Sequence, residues 1–438
     1  MKNSFVSGTK KLFHQGLRKL FSFFPRPLRF GIYRSFVDCD PKPDPRLVLK
    51  IAETKEELEA CFALLHDAYV GAGFMKPDPS GLRATIYHAL PTTTTLCAKY
   101  DDEVVGTLSL IRDSVFGFPL QAIFDLRAVR AKGGKIAEVS ALAVHPKFRK
   151  TGGAILFPLM KFMYQYCTTF FDTRHLVIAV NPNRIEMYES LLFFQRLTET
   201  PVDNYDFANG APAVGASLDL RGAPEILKQH YDGKSTRKNL YSYFIKLKLR
   251  NIVIPGRRYY TTNDPVMTPE RLDYFFNQRT KVFAALDERE RALMHSIYNL
   301  PEYKPYLPVE FSDSNPQQTL RQHQRYSIKC SGIFEVDADG HPQAHQLTIV
   351  ECSRYGFLAH SRTPLDTQVW GDVTIQLGST ERSRVRALAV GGKKDAGFYG
   401  FKLAEPDLAW RKFVSVLQSG TTHDDMDNAT KFLTTWTT

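Results

Sequence analysis

The stretch from Ile136 to Leu156, IAEVSALAVHPKFRKTGGAIL, constrains the fold more than any other part of the chain. A continuous apolar run bounded by Pro and Gly reads as a buried central strand, and the Gly-Gly pair behind it reads as a turn into a helix. Two-residue periodicity puts Glu138, Ser140, Leu142 and Val144 on one face of that strand. Packing gives no reason for a carboxylate there, because burying an ionised group is unfavourable unless it is paired or used. Beyond the strand, Arg149-x-x-Gly152-Gly153-Ala154 offers amides free of side chains at a helix start, where the helix dipole favours an anionic or carbonyl-rich ligand. A plain α/β crossover would show the same strand, turn and helix.

At 438 residues the chain is long enough for two or three domains. Its six cysteines, Cys39, Cys61, Cys97, Cys167, Cys330 and Cys352, form no C-x-x-C pair and have no His cluster near them, so no metal site or disulfide framework is expected and a reducing cytoplasm is. No run of about 18 apolar residues and no signal-peptide pattern is present, which predicts a soluble or peripheral cytoplasmic protein.

The net charge of +11 is unevenly spread. From Met1 to Val37 the chain carries Lys2, Lys10, Lys11, Arg18, Lys19, Arg26, Arg29 and Arg34 and no acidic residue. Apolar residues recur among them at helical spacing up to Pro25, which predicts a basic amphipathic helix over residues 10–24, suited to the anionic inner face of the cytoplasmic membrane. A second acid-free stretch runs from Lys234 to Arg258. Docking onto the rest of the chain explains both stretches equally well, and an acidic protein partner is a third reading. Nucleic acid is not expected, since no zinc-finger spacing or aromatic RNA-binding motif accompanies the charge.

Composition shifts divide the chain into a basic segment and Pro-rich linker over 1–46, an α/β core over 47–221, a helical and aromatic extension over 222–314, and a region of short alternating strands ending in a helix over 315–438. Thr54 with Glu57 predicts a capping-box helix through Tyr69, and Asp101-Asp102 a hairpin turn. Pro269 to Leu286 and Glu288 to Tyr298 are expected as capped helices whose apolar faces only pack.

The strand, glutamate and turn together resemble the acyl-binding strand and loop of the GNAT superfamily of N-acyltransferases. The reaction this implies, transfer of an acyl group from a thioester to an amine, needs a base for the ammonium, donors for the developing oxyanion and an acid for the leaving thiolate. Glu138 is the expected base, its pKa raised by burial, acting directly or through a water molecule. That resemblance implies a mixed sheet opening around a thioester. Amides about Ala143 and Val144 and from Gly152 through Gly153 to Ala154 would hold the thioester carbonyl and pantetheine, with Arg149 beside them. Tyr188, in NPNRIEMYESLLFF, would then lie by the sulfur and protonate it, although Tyr188, Phe193 and Phe194 also read as core aromatics.

From Lys50 to Leu220 the ordered motifs HDAYVGAGFM, YHALP, EVVGTLSLIRDS, AEVSALAVHPKFR, VNPNRIEMYESLLFF and APAVGASLDL resemble the N-acyl amino acid synthases of the FeeM type, GNAT-fold relatives of the acyl-homoserine lactone synthases. The resemblance implies transfer of a long-chain fatty acyl group from acyl carrier protein to the α-amine of an amino acid, with acyl-CoA and a short acyl group as the alternative. Leu192 stands where the pattern has Gly, and Pro158 falls inside the acyl-binding helix, where a kink is expected. Ala141 replaces the arginine of lactone synthases, which argues against S-adenosylmethionine as acceptor. Arg83, Arg112 and Asp113 lie in motifs bordering the acceptor side, and an arginine fork suits a substrate carboxylate; surface ion pairing explains them equally well.

In the C-terminal region Arg321 and Arg325 form R-x-x-x-R, and ECSRYGF follows with Glu351, Ser353 and Gly356. With the closing AGFYGFKL these resemble the PilZ domain, a small all-β barrel that binds cyclic di-GMP through an RxxxR segment and a (D/N)xSxxG turn. Arginine forks match both the phosphates and the guanine edges of such a ligand, and Gly356 would allow close backbone approach. Glu351 departs from the Asp or Asn of the pattern. The expected chain is therefore a GNAT-like α/β (α+β) acyltransferase domain with a helical extension and a PilZ barrel, or else a catalytically inert cyclic di-GMP effector.

Overall fold

A computed structural model of the chain describes residues 24–149, 151–171, 173–205, 207, 210–254, 267–298, 303–308, 325–338, 341–378, 380–391 and 397–419. Apart from Phe24, the basic helix expected over residues 10–24 lies outside the described residues, as does Arg321.

The helix α1 (Arg26–Ser35) starts directly after Pro25, in the part of the basic N-terminal segment beyond the expected end of its helix. It is followed by β1 (Leu47–Ile51), α2 (Lys55–Ala72), β2 (Thr93–Tyr100), β3 (Glu103–Arg112), β4 (Lys135–Val144), α3 (Leu156–Phe170), β5 (Thr173–Val180), α4 (Ile185–Leu192), β6 (Gln195–Arg196), β7 (Val202–Tyr205) and β8 (Ala211–Asp219). The eight strands form one sheet in the order β1-β2-β3-β4-β5-β8-β6, with β7 pairing β8. Every neighbouring pair is antiparallel except β4 and β5.

Local chemistry sets the ends of α2. Thr54 accepts from the Glu57 amide while the Glu57 carboxylate accepts from the Thr54 amide, and Gly73 closes the helix in the left-handed region. Lys50 and Lys99 from β1 and β2 both donate to the buried Glu57 carboxylate, tying the helix start to the sheet. One sheet face is covered by α3 through Leu159, Phe162, Met163 and Tyr166. The other is covered by α2.

The helical extension joins both layers. α5 (Ala223–Tyr231) and a π-helical turn over Ser242–Lys246 pack with Val37 and Cys39 against Met160 of α3. The expected helix from Pro269 to Leu286 is much shorter: α6 (Pro269–Leu272) widens at once into a π-helix over Asp273–Arg279. That wider turn carries the consecutive Phe275 and Phe276 into the α2 core, Phe275 lying 5.2 Å edge-on to Phe62. α7 (Glu288–Ile297) follows, capped by Asp287 and Glu290 as expected.

Near the C-terminus β9 (Tyr326–Ala338), β10 (His341–Ser353), β11 (Gly356–Ser361), β12 (Val369–Gln376), β13 (Arg382–Gly391) and β14 (Phe398–Leu403) close into a six-stranded antiparallel barrel. α8 (Leu408–Ser419) contributes Trp410, Phe413, Val414 and Leu417 to the barrel core.

α1 also answers part of the charge question. Arg26 pairs with Glu189, Arg29 with Glu186, and Arg34 donates to the Ser190 carbonyl, so three of the eight N-terminal cations are spent on α4. In the second basic stretch Arg237 pairs with Asp38 and Lys238 donates to the Ser35 carbonyl. Both stretches therefore dock partly onto each other and onto the core.

Candidate functional site

β4 and β5 pair from Lys135 opposite Thr173 to Glu138 opposite Val177, and no ladder joins them beyond that point. The sheet divides there. A cavity of about 230 Å³ fills the division, lined by Glu138 to Leu142 on one side and Ile178 to Asn181 on the other.

Across β4, Ser109 pairs with Ser140 and Thr107 with Ala143, so Ala141 and Leu142 together face the single residue Leu108. This is a β-bulge, and Ala141 takes a φ of 53°, a conformation that costs a non-glycine residue on the order of 1 kcal/mol. The bulge resets the side-chain alternation. Leu142 and Val144 pack with Ala137 and Val139 on the α3 side, while Ala141 and Ala143 turn to the α2 side. The expected single face of Glu138, Ser140, Leu142 and Val144 is thereby corrected: an extra residue in a period-two element inverts everything after it.

Glu138 is 1% exposed, and its Oε2 accepts one hydrogen bond, from the Leu120 amide at 3.0 Å. Burial pushes its carboxyl up to about 8, the Leu120 amide acting weakly the other way. Such a group exchanges a proton readily near neutral pH. Tyr188 lines the same cavity from α4, its ring edge-on to Phe194 at 6.0 Å, and burial pushes its phenol up so that it stays protonated.

The turn after β4, expected to hold the acyl donor, is braced to the strand and does not itself line the cavity. Arg149 Nε donates to the Val144 carbonyl at 2.8 Å, fixing the strand end against the turn. Gly152 and Gly153 follow with φ of 66° and 91°, and a Cβ on Gly153 would lie 2.5 Å from the Phe157 ring. Ala154 sits in this turn, its amide donating to the Thr151 carbonyl at 3.3 Å, and α3 begins two residues later. Pro158 is the third residue of that helix, where its missing N–H has no helical acceptor, so the expected kink is not needed and its place in the first turn is benign. Leu192 is simply the last residue of α4; the left-handed cap is Phe193, φ 62°, with its ring 4.4 Å from that of His230 and under the Arg34 guanidinium at 5.2 Å.

The three acceptor-side expectations separate. Arg83 stacks over Tyr69 at 3.9 Å and donates from Nη2 to the Phe207 carbonyl at 2.6 Å; both Tyr69 and Phe207 line the cavity. Neither guanidinium lines the cavity itself; that of Arg112 is buried on Phe171 at 3.7 Å and donates to Thr94 Oγ1 and the Pro91 carbonyl. Asp113 forms a surface ion pair with Arg130. Sequence order placed Arg112 and Asp113 near the acceptor, but β3 runs past the cavity before it reaches them.

Tyr205 was missed. At the end of β7 it lines the cavity, it is 3% exposed, and its hydroxyl has no hydrogen-bond partner among the described residues. No motif marks it in the sequence; a short strand ending in Tyr-x-Phe is the only signal.

In the barrel, Arg325 pairs with Glu351 at 2.7 Å, and Ser353 Oγ donates to the Gly356 carbonyl at 3.2 Å. A Cβ on Gly356 would lie 2.5 Å from the Phe401 carbonyl oxygen. The approach of β14 is by itself enough to require the glycine.

Residues 60–219 match the family model of the N-acyl amino acid synthase FeeM. No curated protein matches the chain. Among solved structures, FeeM, an N-acyl amino acid synthase from uncultured soil microbes, is 26% identical, with 43% of this chain and 100% of that one covered and a TM-score of 0.36. BjaI, a CoA-dependent acyl-homoserine lactone synthase solved with SAM and isopentyl-CoA, is 19% identical over 44% of this chain and 97% of that one, TM-score 0.33. An acyl-CoA N-acyltransferase from Pseudomonas aeruginosa is 18% identical over 39% and 97%, TM-score 0.26. By the domain that residues 60–219 form, the chain is an N-acyltransferase.

Proposed function

We propose that the chain moves a long-chain fatty acyl group from acyl carrier protein to the α-amine of an amino acid. The observation that carries this reading is a buried carboxyl, Glu138, at the point where the sheet divides inside a span that matches N-acyl amino acid synthases. The acceptor ammonium gives a proton to the Glu138 carboxylate, and the free amine attacks the thioester carbonyl carbon. The C–N bond forms, the C–S bond breaks as Tyr188 protonates the departing thiolate, and the second proton lost by the adduct nitrogen restores the Tyr188 phenol. The β4 edge beyond Glu138 and the Gly152–Gly153 turn hold the thioester arm, with Arg149 bracing the turn. Arg83 lies behind Tyr69 and Phe207 of the cavity wall, and its guanidinium fork suits the carboxylate of an amino acid.

Mass spectrometry of lipid extracts from cells overproducing the chain, beside cells with Glu138→Gln, tests the reading. Fatty-acyl amino acids dependent on Glu138 support it, and none in either extract overturns it. The cavity of about 230 Å³ is at the small end for a ligand site, and this supports a second reading in which a short acyl group comes from acyl-CoA. N-acetyl or other short products in the same extracts would select it.

The barrel is proposed as a PilZ domain that binds cyclic di-GMP and regulates acylation. The closed barrel and the Arg325–Glu351 pair at the expected turn support it; Arg321 would complete the arginine pair. Calorimetry with cyclic di-GMP on the full chain and on Arg325→Ala tests binding, and an unchanged acylation rate at saturation removes regulation. Without either, the barrel is a structural or docking unit. Among the described residues no helix is long and apolar enough to cross a membrane. Peripheral attachment through residues 1–23 is proposed, and liposome binding equal in a chain beginning at Pro41 would exclude it.

A further inference from the structure

We propose that Tyr205 is the acceptor-binding hydroxyl of the site, the group that accepts a hydrogen bond from the incoming ammonium and holds it against Glu138. The inference rests on the acyltransfer reading above and adds to it a residue that no motif marks.

Three observations carry it. The phenol lines the same cavity as Glu138, and at 3% exposure its hydroxyl is removed from water without any partner among the described residues. A buried hydroxyl left unpaired costs roughly 1–3 kcal/mol, so such a group persists where something else uses it. The hydroxyl is also held in place. The Gly210 amide donates to the Tyr205 carbonyl at 2.9 Å, and Arg83 donates to the carbonyl of Phe207, whose ring lies 5.8 Å from that of Tyr205. Arg83 thus clamps the turn that aims the phenol, and Arg83→Ala would loosen both.

The surroundings suit an ammonium group. Tyr69, Phe74 and Phe207 line the cavity with Tyr205, and the Tyr69 and Phe207 rings already hold one cation, the Arg83 guanidinium, at 3.9 and 5.3 Å. The ionisable groups whose charge reaches the Tyr205 phenol are Glu138, Tyr69, Tyr87 and Arg83, and with burial they drive it well above its ordinary range, Arg83 alone pulling down. Tyr205 therefore acts as a neutral hydroxyl. It accepts one N–H from the ammonium, while a second N–H faces the Glu138 carboxylate; when that proton moves to Glu138, the lone pair freed on nitrogen is left for the thioester carbon. The protons balance without a co-reactant: the nitrogen loses two in becoming the amide, one taken by Glu138 and released to solvent after the product leaves, the other replacing the proton that Tyr188 gives to the thiolate.

Tyr205→Phe removes only the oxygen, and three readouts on the full chain decide the matter. For the amino acid that the wild type acylates best, kcat/KM is expected to fall at least tenfold, mostly through KM. The KM for the acyl thioester is expected to stay within twofold. The melting temperature is expected to stay equal or to rise, because an unpaired buried hydroxyl has been deleted. A lower melting temperature with acceptor kinetics in proportion overturns the proposal in favour of a structural tyrosine, and unchanged acceptor KM and kcat overturn it outright. If the wild type makes no N-acyl product from any of the twenty amino acids, the acyltransfer reading fails with it; an active wild type beside an equally active Tyr205→Phe sinks the inference alone.

Discussion

Glu138 and Val177 form the last ladder pair between β4 and β5, so the residue at which the sheet divides is the one that carries its buried carboxyl group. The pairing up to that point holds the backbone of Glu138 rigid. The division beyond it opens the cavity that Glu138 lines, and the bulge at Ala141 lies further along the same strand.

Glu138→Gln is expected to lower the acylation rate by about 10²–10⁴, the range for loss of a positioned base. Since the base must be ionised, wild-type kcat/KM rises with pH and levels off above about 8, and this rise disappears in the variant. Rate against pH at saturating thioester checks both.

The same carboxyl makes stability depend on pH. Its pKa in the fold is about 8 against an ordinary 4.5, so between these values the native state holds a proton that the unfolded chain has released. Stability contributed by the neutral form is fully present below about 4.5 and is lost as pH rises towards 8, by at most about 1.4 kcal/mol per unit. Glu138→Gln should therefore melt at a higher temperature than wild type at pH 8, with the gap closing near pH 5. Parallel melting curves across that range would refute the assignment.

Tyr188→Phe should lower kcat by about tenfold or more with little change in the acceptor KM, since a neutral phenol is needed when the C–S bond breaks. A thioester with a more acidic thiol should recover most of the loss. Equal losses for both thioesters would leave Tyr188 as a packing residue beside Phe194.

Arg83 and Arg112 should behave differently. Arg112→Met leaves Thr94 and the Pro91 carbonyl without their donor and should cost roughly 1–3 kcal/mol of stability with acceptor KM unchanged. Arg83→Lys should raise acceptor KM about tenfold at near-normal stability, because an ammonium cannot reproduce the fork. Denaturant melts with steady-state kinetics separate the two.

Gly356→Ala should destabilise the barrel by about 1–3 kcal/mol, since a Cβ would lie 2.5 Å from the Phe401 carbonyl. Acylation by the rest of the chain should persist. Loss of cyclic di-GMP binding in this variant would then report strand spacing, whereas loss in Arg325→Ala would report a ligand contact.

Much of the site was legible because it is written in local order. The apolar run, its single glutamate and the Gly-Gly turn are contiguous, and Thr54 with Glu57 or Asp287 with Glu290 are contacts three residues apart. Features that depend on what lies opposite were not legible. The bulge inverts Leu142 and Val144 only because β3 offers Leu108 alone against two residues. Arg112 and Arg83 look alike as text, and only the fold puts one on Phe171 and the other behind Tyr69 and Phe207 of the cavity wall.

The amino-acid order by itself determined the elements: where helices are capped, where strands are apolar enough to be buried, and that one carries a carboxylate. These follow from propensities and periodicities acting over a few residues. Only the tertiary structure decided which side chains meet: that β4 and β5 part after Glu138, that α1 spends its arginines on α4, and that Tyr205 arrives beside Glu138 from a strand 67 residues further on. Such meetings depend on burial and on hydrogen-bond satisfaction between distant segments, and these free energies exist only once the chain has folded.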